Sequence, residues 1–211
     1  MTRIVLIHAL SHSIAPINSA FERDWPEAVR MNLLDDSLSA DLVRVGRLDE
    51  AMHERFQRLA QYAVDTGASG ILFTCSAFGP CIEAVARRHA GIPVLKPNEA
   101  MVAEAAQGTG RLGLIATFQP TLDTMPSEFP ASVELVTALA AGALEALNRG
   151  DAQQHDALVA AQARALKERG CARIALAQFS MARARGACED ASGLPVMTTV
   201  DSAVRALRER A

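Results

Sequence analysis

The 211-residue chain is 50% hydrophobic and 21% charged, with a formal net charge of -3 at pH 7. That balance excludes a disordered polyelectrolyte, and the lack of any long Lys/Arg block speaks against nucleic acid or an anionic membrane as partner. A chain of this length buries a sizeable core, so one large domain or two small ones and a small-molecule partner are expected.

The apolar opening over residues 4–7 is too short for a signal segment, and no stretch approaches the roughly 20 apolar residues of a membrane span. Cys75, Cys81, Cys171 and Cys188 have neither the close pairing of a zinc site nor the density of a secreted disulfide scaffold. A cytoplasmic chain with reduced thiols and no metal is expected.

Short β-like runs alternate with longer helical ones, as in βαβ units around a parallel sheet. Residues 4–7 predict the first strand and 16–27 a helix with Ile17, Phe21 and Trp25 on one face; 29–34 predict a second strand that ends in Asp35, Asp36 and Ser37. A helix over 49–66 follows from Met52, Phe56, Leu59, Ala60 and Ala63 at helical spacing, with Gly67 as its stop. Strands are then expected at 71–74 and 93–95, with helices at 80–89 and 99–107. The second half predicts strands at 111–116, 133–137, 174–177 and 195–197, and helices at 151–169, 185–190 and from Ser202 onward.

This order repeats once. The stretch from Gly67 to Cys75 aligns with that from Gly170 to Gln178, and Gly91, Pro93 and Val94 align with Gly193, Pro195 and Val196, with a one-residue slip. The pattern predicts a duplicated pair of α/β halves, residues 1–98 (with the helix 199–211 returning to them) and 99–198. Ligands of open parallel sheets sit beyond the carboxyl ends of the strands, so the loops after Thr74 and Ala177 are expected to share a cleft.

Cys75 stands at the carboxyl end of a strand and just before a helix, where backbone N–H groups and the helix dipole favour a thiolate or a bound anion. Position alone leaves catalysis and simple packing open, since cysteine is among the most buried residue types. The neighbouring hydroxyls of Thr74 and Ser76, able to hold a carboxylate, favour catalysis. Cys81, Cys171 and Cys188 fall in or beside regular elements and read as packing residues. His8 ends the first strand and is either a donor or second base or a satisfied loop histidine; His12, Ser11 and Ser13 share its loop. His53, His89 and His155 read as surface residues on helices. Asp35 and Asp36 cap the next turn rather than forming an acid/base pair. Thr117 and Thr121 frame the loop after residues 112–116 and suit either anion binding or turn capping. Gly108 and Gly110 precede a strand rather than follow one, so the nucleotide-binding fingerprint is absent in context.

These residues in this order resemble the aspartate/glutamate racemase superfamily, which also contains hydantoin racemases, maleate isomerases and arylmalonate decarboxylases. The likeness covers nearly the whole chain and rests on the joint order of the two α/β halves, Cys75, and Ala116, Thr117 and Thr121. It implies two Rossmann-like halves related by a pseudo-two-fold with the site between them, and two cysteines on opposite faces of a small carboxylate acting without metal or coenzyme. It also implies a homodimer or higher homo-oligomer. Cys75 matches the first cysteine, and Ser76 and Thr117 match carboxylate-binding hydroxyls, with Thr74, Ala77, Ser11, Thr121 and Phe179 also placed around the substrate. The second cysteine is missing: Gln178 takes its place, or Ser180 if the loop slips.

Inversion at carbon needs a proton removed from one face and supplied on the other, and a neutral glutamine does neither. Three expectations follow. In the first, a racemase or isomerase opposes Cys75 with His8, Ser180 or water. In the second, a decarboxylase of a substituted malonate needs only one acid. In the third, a binding protein keeps the cleft without the chemistry. Gln178 is able to donate through its amide in any of them.

Overall fold

In the computed structural model, which describes residues 2–211, the apolar runs of the first half pair as β1 Arg3–His8, β2 Val29–Leu34, β3 Gly70–Phe73 and β4 Val94–Leu95. The sheet is parallel throughout with order β2-β1-β3-β4. Every residue of β3 is buried, as in a parallel strand covered on both faces. One face carries Val5, Ile7 and Phe73 against α3 (Glu50–Asp65) and α4 (Gly79–Arg88), through Phe56, Ala60, Ile82 and Val85. Alternation along β1 turns Ile4 and Leu6 the other way, where Leu207 meets Gly70 beside Ile4. The unit comprises Met1–Pro97 with Ala203–Ala211 and includes α1 (Ile14–Asp24) and α2 (Ser37–Val45).

The second unit, Asn98–Ser202, has β5 Leu112–Ala116, β6 Leu135–Leu139, β7 Arg173–Leu176 and β8 Val196–Thr198 in the order β6-β5-β7-β8, again all parallel. Its helices are α5 Glu99–Gln107, α6 Gln119–Thr124, α7 Ala143–Asn148, α8 Ala152–Glu168 and α9 Arg185–Ser192; α10 Thr199–Arg210 closes the chain.

The internal repeat is physical down to single hydrogen bonds. Ile71 pairs with Val94, and Ile174 pairs with Val196. Gly67 and Gly170 end α3 and α8 with φ of 81° each, a left-handed conformation that favours glycine. At both places an arginine from the start of the unit's first strand, Arg3 or Arg111, donates to the carbonyl just before the glycine, that of Thr66 or Arg169. The N–H groups of Thr74 and Ala177 bond the carbonyls of Ile7 and Ile115 at 3.0 and 2.9 Å.

Several elements depart from the sequence expectation. The first helix runs Ile14–Asp24 rather than to residue 27, because Trp25 precedes Pro26, which disfavours helical backbone, and sits at φ −152°. Helix α2 was unexpected: it buries only Leu38, so its apolar stripe is too thin to read. The short helices α6 and α7 also occupy segments to which the sequence pattern assigns no helix. Strand β6 begins at Leu135 rather than 133, since the Val133 N–H turns to the Pro130 carbonyl. Helix α10 runs Thr199–Arg210, within the expected 199–211 though ahead of the Ser202 start, and at its beginning the Thr198 hydroxyl donates to the Asp201 carboxylate at 2.7 Å and accepts from the Asp201 N–H at 3.1 Å. His155, expected on the surface, is fully buried on the inner side of α8, with Nδ1 2.8 Å from Asp156 Oδ1.

Candidate active site

In the first unit the carboxyl end of β3 is built on an aromatic stack. Phe56 lies 5.3 Å from Phe73 and 5.0 Å from Phe78 between ring centroids. Such pairs contribute about 0.5–1.5 kcal/mol each beyond their burial. Phe78 belongs to the 3-10 turn Ser76–Phe78, so the stack holds the turn that follows Cys75. Cys75 itself is extended, at φ −127° and ψ 122°, and half-buried; Ser76 is also half-buried and Ala77 exposed. A small cavity bounded by Ile7, His8, Ala9, Leu38, Phe56, Phe73 and Phe78 adjoins Cys75.

Although part of Cys75 reaches solvent, its neighbours desolvate the sulfur closely enough to push the thiol above its usual range, while the Ala77 N–H acts the other way. Burial outweighs the loop's N–H groups. The expected lowering by the strand-to-helix turn is therefore corrected, and the thiol is the stable form at neutral pH. Cys81 and Cys188 are buried and pushed up to about 11 and about 12, with Cys171 also raised; desolvation dominates in all three, which keeps them protonated and unreactive.

His8 is fully buried, with Nδ1 2.9 Å from Thr74 Oγ1 and Nε2 2.9 Å from Asn32 Oδ1. The amide oxygen accepts only, so Nε2 carries the proton and Nδ1 accepts from the Thr74 hydroxyl. Both ring nitrogens are thus engaged, Nδ1 with the Thr74 hydroxyl and Nε2 with Asn32. Sequence reading missed Asn32; the signal is an uncharged polar residue between Met31 and Leu33 in β2.

Burial lowers the His8 pKa from the ordinary 6.5, with the Asn32 bond opposing. A depressed base stays neutral in the folded chain while the unfolded chain binds a proton, so its stability contribution is present above pH 6.5 and is lost as pH falls toward the native value. Melting temperature is expected to fall over that interval in the wild type and to fall less in His8→Gln, measured by calorimetry. Equal slopes would exclude His8 as the group responsible.

The second unit carries the equivalent strand end. Gln178 is half-buried and extended at φ −133° and ψ 145°, and its Oε1 accepts from the Thr117 N–H at 2.7 Å and the Thr117 hydroxyl at 2.9 Å. Two donors on one oxygen fix the carboxamide and turn its NH₂ away from Thr117. Phe179 and Ser180 are buried in the 3-10 turn that follows. Thr121 is buried in the first turn of α6, with its N–H on the Phe118 carbonyl at 3.1 Å. Ser11 lies exposed in the turn after β1. Lys96 and Arg183 are paired with Glu83 and Asp156 at 2.8 and 2.9 Å. Asp35, with Asp41, holds Arg55 at 2.5 and 2.7 Å, so it ties α2 to α3. Among the described residues no group of three or more His, Cys, Asp or Glu could hold a metal ion, and no helix is long and apolar enough to cross a membrane.

Two parallel four-stranded halves of one topology, each ending a middle strand in a chemically distinct residue before a 3-10 turn, define the α/β class of the two-half racemases. The chain belongs to the Asp/Glu/Hydantoin racemase family, whose model matches residues 14–207. Its fold is similar to that of allantoin racemase from Klebsiella pneumoniae, at 21% identity and TM-score 0.71 over 99% of this chain and 87% of the other. It is also similar to Picrophilus torridus aspartate racemase, at 10% identity and TM-score 0.74 over 99% and 94% of the two chains. A mutant of arylmalonate decarboxylase matches at 18% identity and TM-score 0.67, covering 98% of this chain and 92% of its own. No protein of curated function matches the sequence.

Proposed function

We propose that the chain is an enzyme that moves a proton at a carbon alpha to a carboxylate, with Cys75 as its acid and no metal or coenzyme in the step. The observation that carries this reading is the inequality of the two equivalent strand ends: a thiol in the first unit, and a carboxamide bonded to Thr117 in the second. A thiol kept protonated by burial is suited to giving a proton to a carbanion. Gln178 has nothing to titrate, but its fixed NH₂ supplies a donor for developing negative charge, and Ser76 supplies another. His8 and Thr74, engaged with each other, act as positioning residues beneath Cys75.

Gln178 favours one particular form of this chemistry. Loss of carbon dioxide from a substituted malonate breaks one C–C bond and leaves its electron pair as an enediolate; the Cys75 S–H proton then forms the new C–H bond, and solvent restores the thiol. One acid suffices, whereas racemisation needs His8, Ser180 or water to serve the other face.

Substituted malonates, amino acids and hydantoins incubated with the protein in deuterated water test the reading. Solvent label with carbon dioxide release is expected; label with inversion instead assigns a racemase. No label from any class would leave a small-carboxylate binding protein and defeat the enzymatic reading.

A further inference from the structure

Helix α2 lies beside the Cys75 cavity on few attachments. Its segment is fixed at both ends: the Asp35 N–H bonds the His8 carbonyl at 3.0 Å, and Asp49 caps α3 by accepting from the Met52 N–H at 2.9 Å. Between those ends only Leu38 is buried, with Leu42 and Leu48 partly so, while Val43 and Val45 stay exposed. Leu38 lines the cavity beside Cys75 together with Phe56, Phe73 and Phe78. The helix ends on Gly46 at φ 73°, a left-handed joint with open space around it, and Arg47 after it is exposed.

What holds α2 in place is one side chain of α3. The Arg55 guanidinium donates to Asp35 at 2.7 and 2.5 Å, to Asp41 at 2.7 Å and to the Ser37 hydroxyl, so it grips the start and the middle of α2 together. In the second unit α7 takes the corresponding place after β6, and there the helix is held by packing, with Ala143 and Ala146 fully buried. Partly exposed ion pairs are individually weak and are screened by salt. A helix with one buried anchor belongs to the low-stability end of a structure, which opens locally before the fold does. We infer that residues 36–48 form a lid on the Cys75 cavity, with Leu38 as its plug and Arg55 as its latch. Release of the latch lifts Leu38 out and admits molecules to the thiol from that side. The lid governs access to Cys75, whatever the thiol does there, so its test uses no turnover.

Hydrogen exchange, and alkylation by N-phenylmaleimide located by peptide mass mapping, are compared in wild type, Arg55→Ala and Asp41→Asn; the last keeps the Asp35 pair and frees only α2 itself. The amides of residues 41–46 are expected to exchange faster in both variants, with α3 and β3 protection unchanged. Cys75 is expected to react about tenfold faster in Arg55→Ala and several-fold faster in Asp41→Asn. In wild type, raising salt from about 0.05 M to about 0.5 M is expected to speed Cys75 alkylation several-fold relative to glutathione, because screening weakens the latch. That arm needs no variant, so it decides the matter if Arg55→Ala does not fold. Equal alkylation in all three proteins with no salt effect overturns the inference, as does wild-type exchange in α2 no faster than in α3. Faster α2 exchange without faster alkylation leaves Cys75 unguarded and also overturns it. So does labelling of the buried Cys81 at the rate of Cys75, which would mean that the whole unit opens.

Discussion

Replacement of Cys75 by alanine is expected to lower label incorporation at the alpha carbon by about 10²–10⁴-fold, the usual contribution of a positioned acid or base. The fold should survive, because Cys75 is only half-buried and the turn after it is held by Phe78 in the aromatic stack. The measurement is single-turnover exchange in deuterated water, with melting temperature as the control. The pH profile sharpens the result. A proton-donating thiol raised by desolvation is fully protonated across neutral pH, so the rate should stay level there and fall only on the alkaline side of the ordinary thiol range. A rate that rises with pH through that range would mean the thiolate is the active form. Wild-type turnover in Cys75→Ala would remove the residue from the mechanism.

Gln178→Glu isolates the other strand end. A carboxylate has the same shape and still accepts from the Thr117 N–H and hydroxyl, so the local structure is expected to hold or gain stability. What disappears is the NH₂, replaced by an oxygen bearing charge of the wrong sign for a developing enediolate. Loss of one such donor costs about 3–4 kcal/mol, so kcat is expected to fall about 10²–10³-fold with little change in melting temperature. Thr117→Val provides the complement: it removes the hydroxyl but keeps the N–H, and should loosen the carboxamide and lower kcat less. If Gln178→Glu is destabilised and Thr117→Val is silent, the bonded pair is structural and contributes nothing to the reaction.

The two experiments address equivalent strand ends, one in each unit, where similar local scaffolding holds different chemistry. In each unit a strand-end N–H bonds the carbonyl of the neighbouring strand, and a 3-10 turn follows at once. Duplication accounts for the shared backbone. The side chains differ, Cys75 against Gln178 and Ala9, which has no hydroxyl to hold a partner, against Thr117, and the 3-10 turn is longer in the second unit, Phe179–Ala184 against Ser76–Phe78. Where the second half offers the Gln178–Thr117 pair, the first offers a thiol beside a cavity lined by His8 and apolar side chains.

The sequence by itself determined the repeat, the parallel α/β class and the position of Cys75, because those follow from period, from glycines that need left-handed backbone and from short runs of wholly apolar residues. Contacts between residues far apart in the chain were beyond its reach. That Thr74 spends its hydroxyl on His8, that Asn32 fixes the His8 tautomer, and that Gln178 is oriented by Thr117 depend on which strands lie side by side. The state of the Cys75 thiol was also decided only by tertiary structure. Its turn supplies the N–H that would favour a thiolate, but desolvation depends on how many neighbours the fold gathers around the sulfur, and here that larger effect keeps the proton in place.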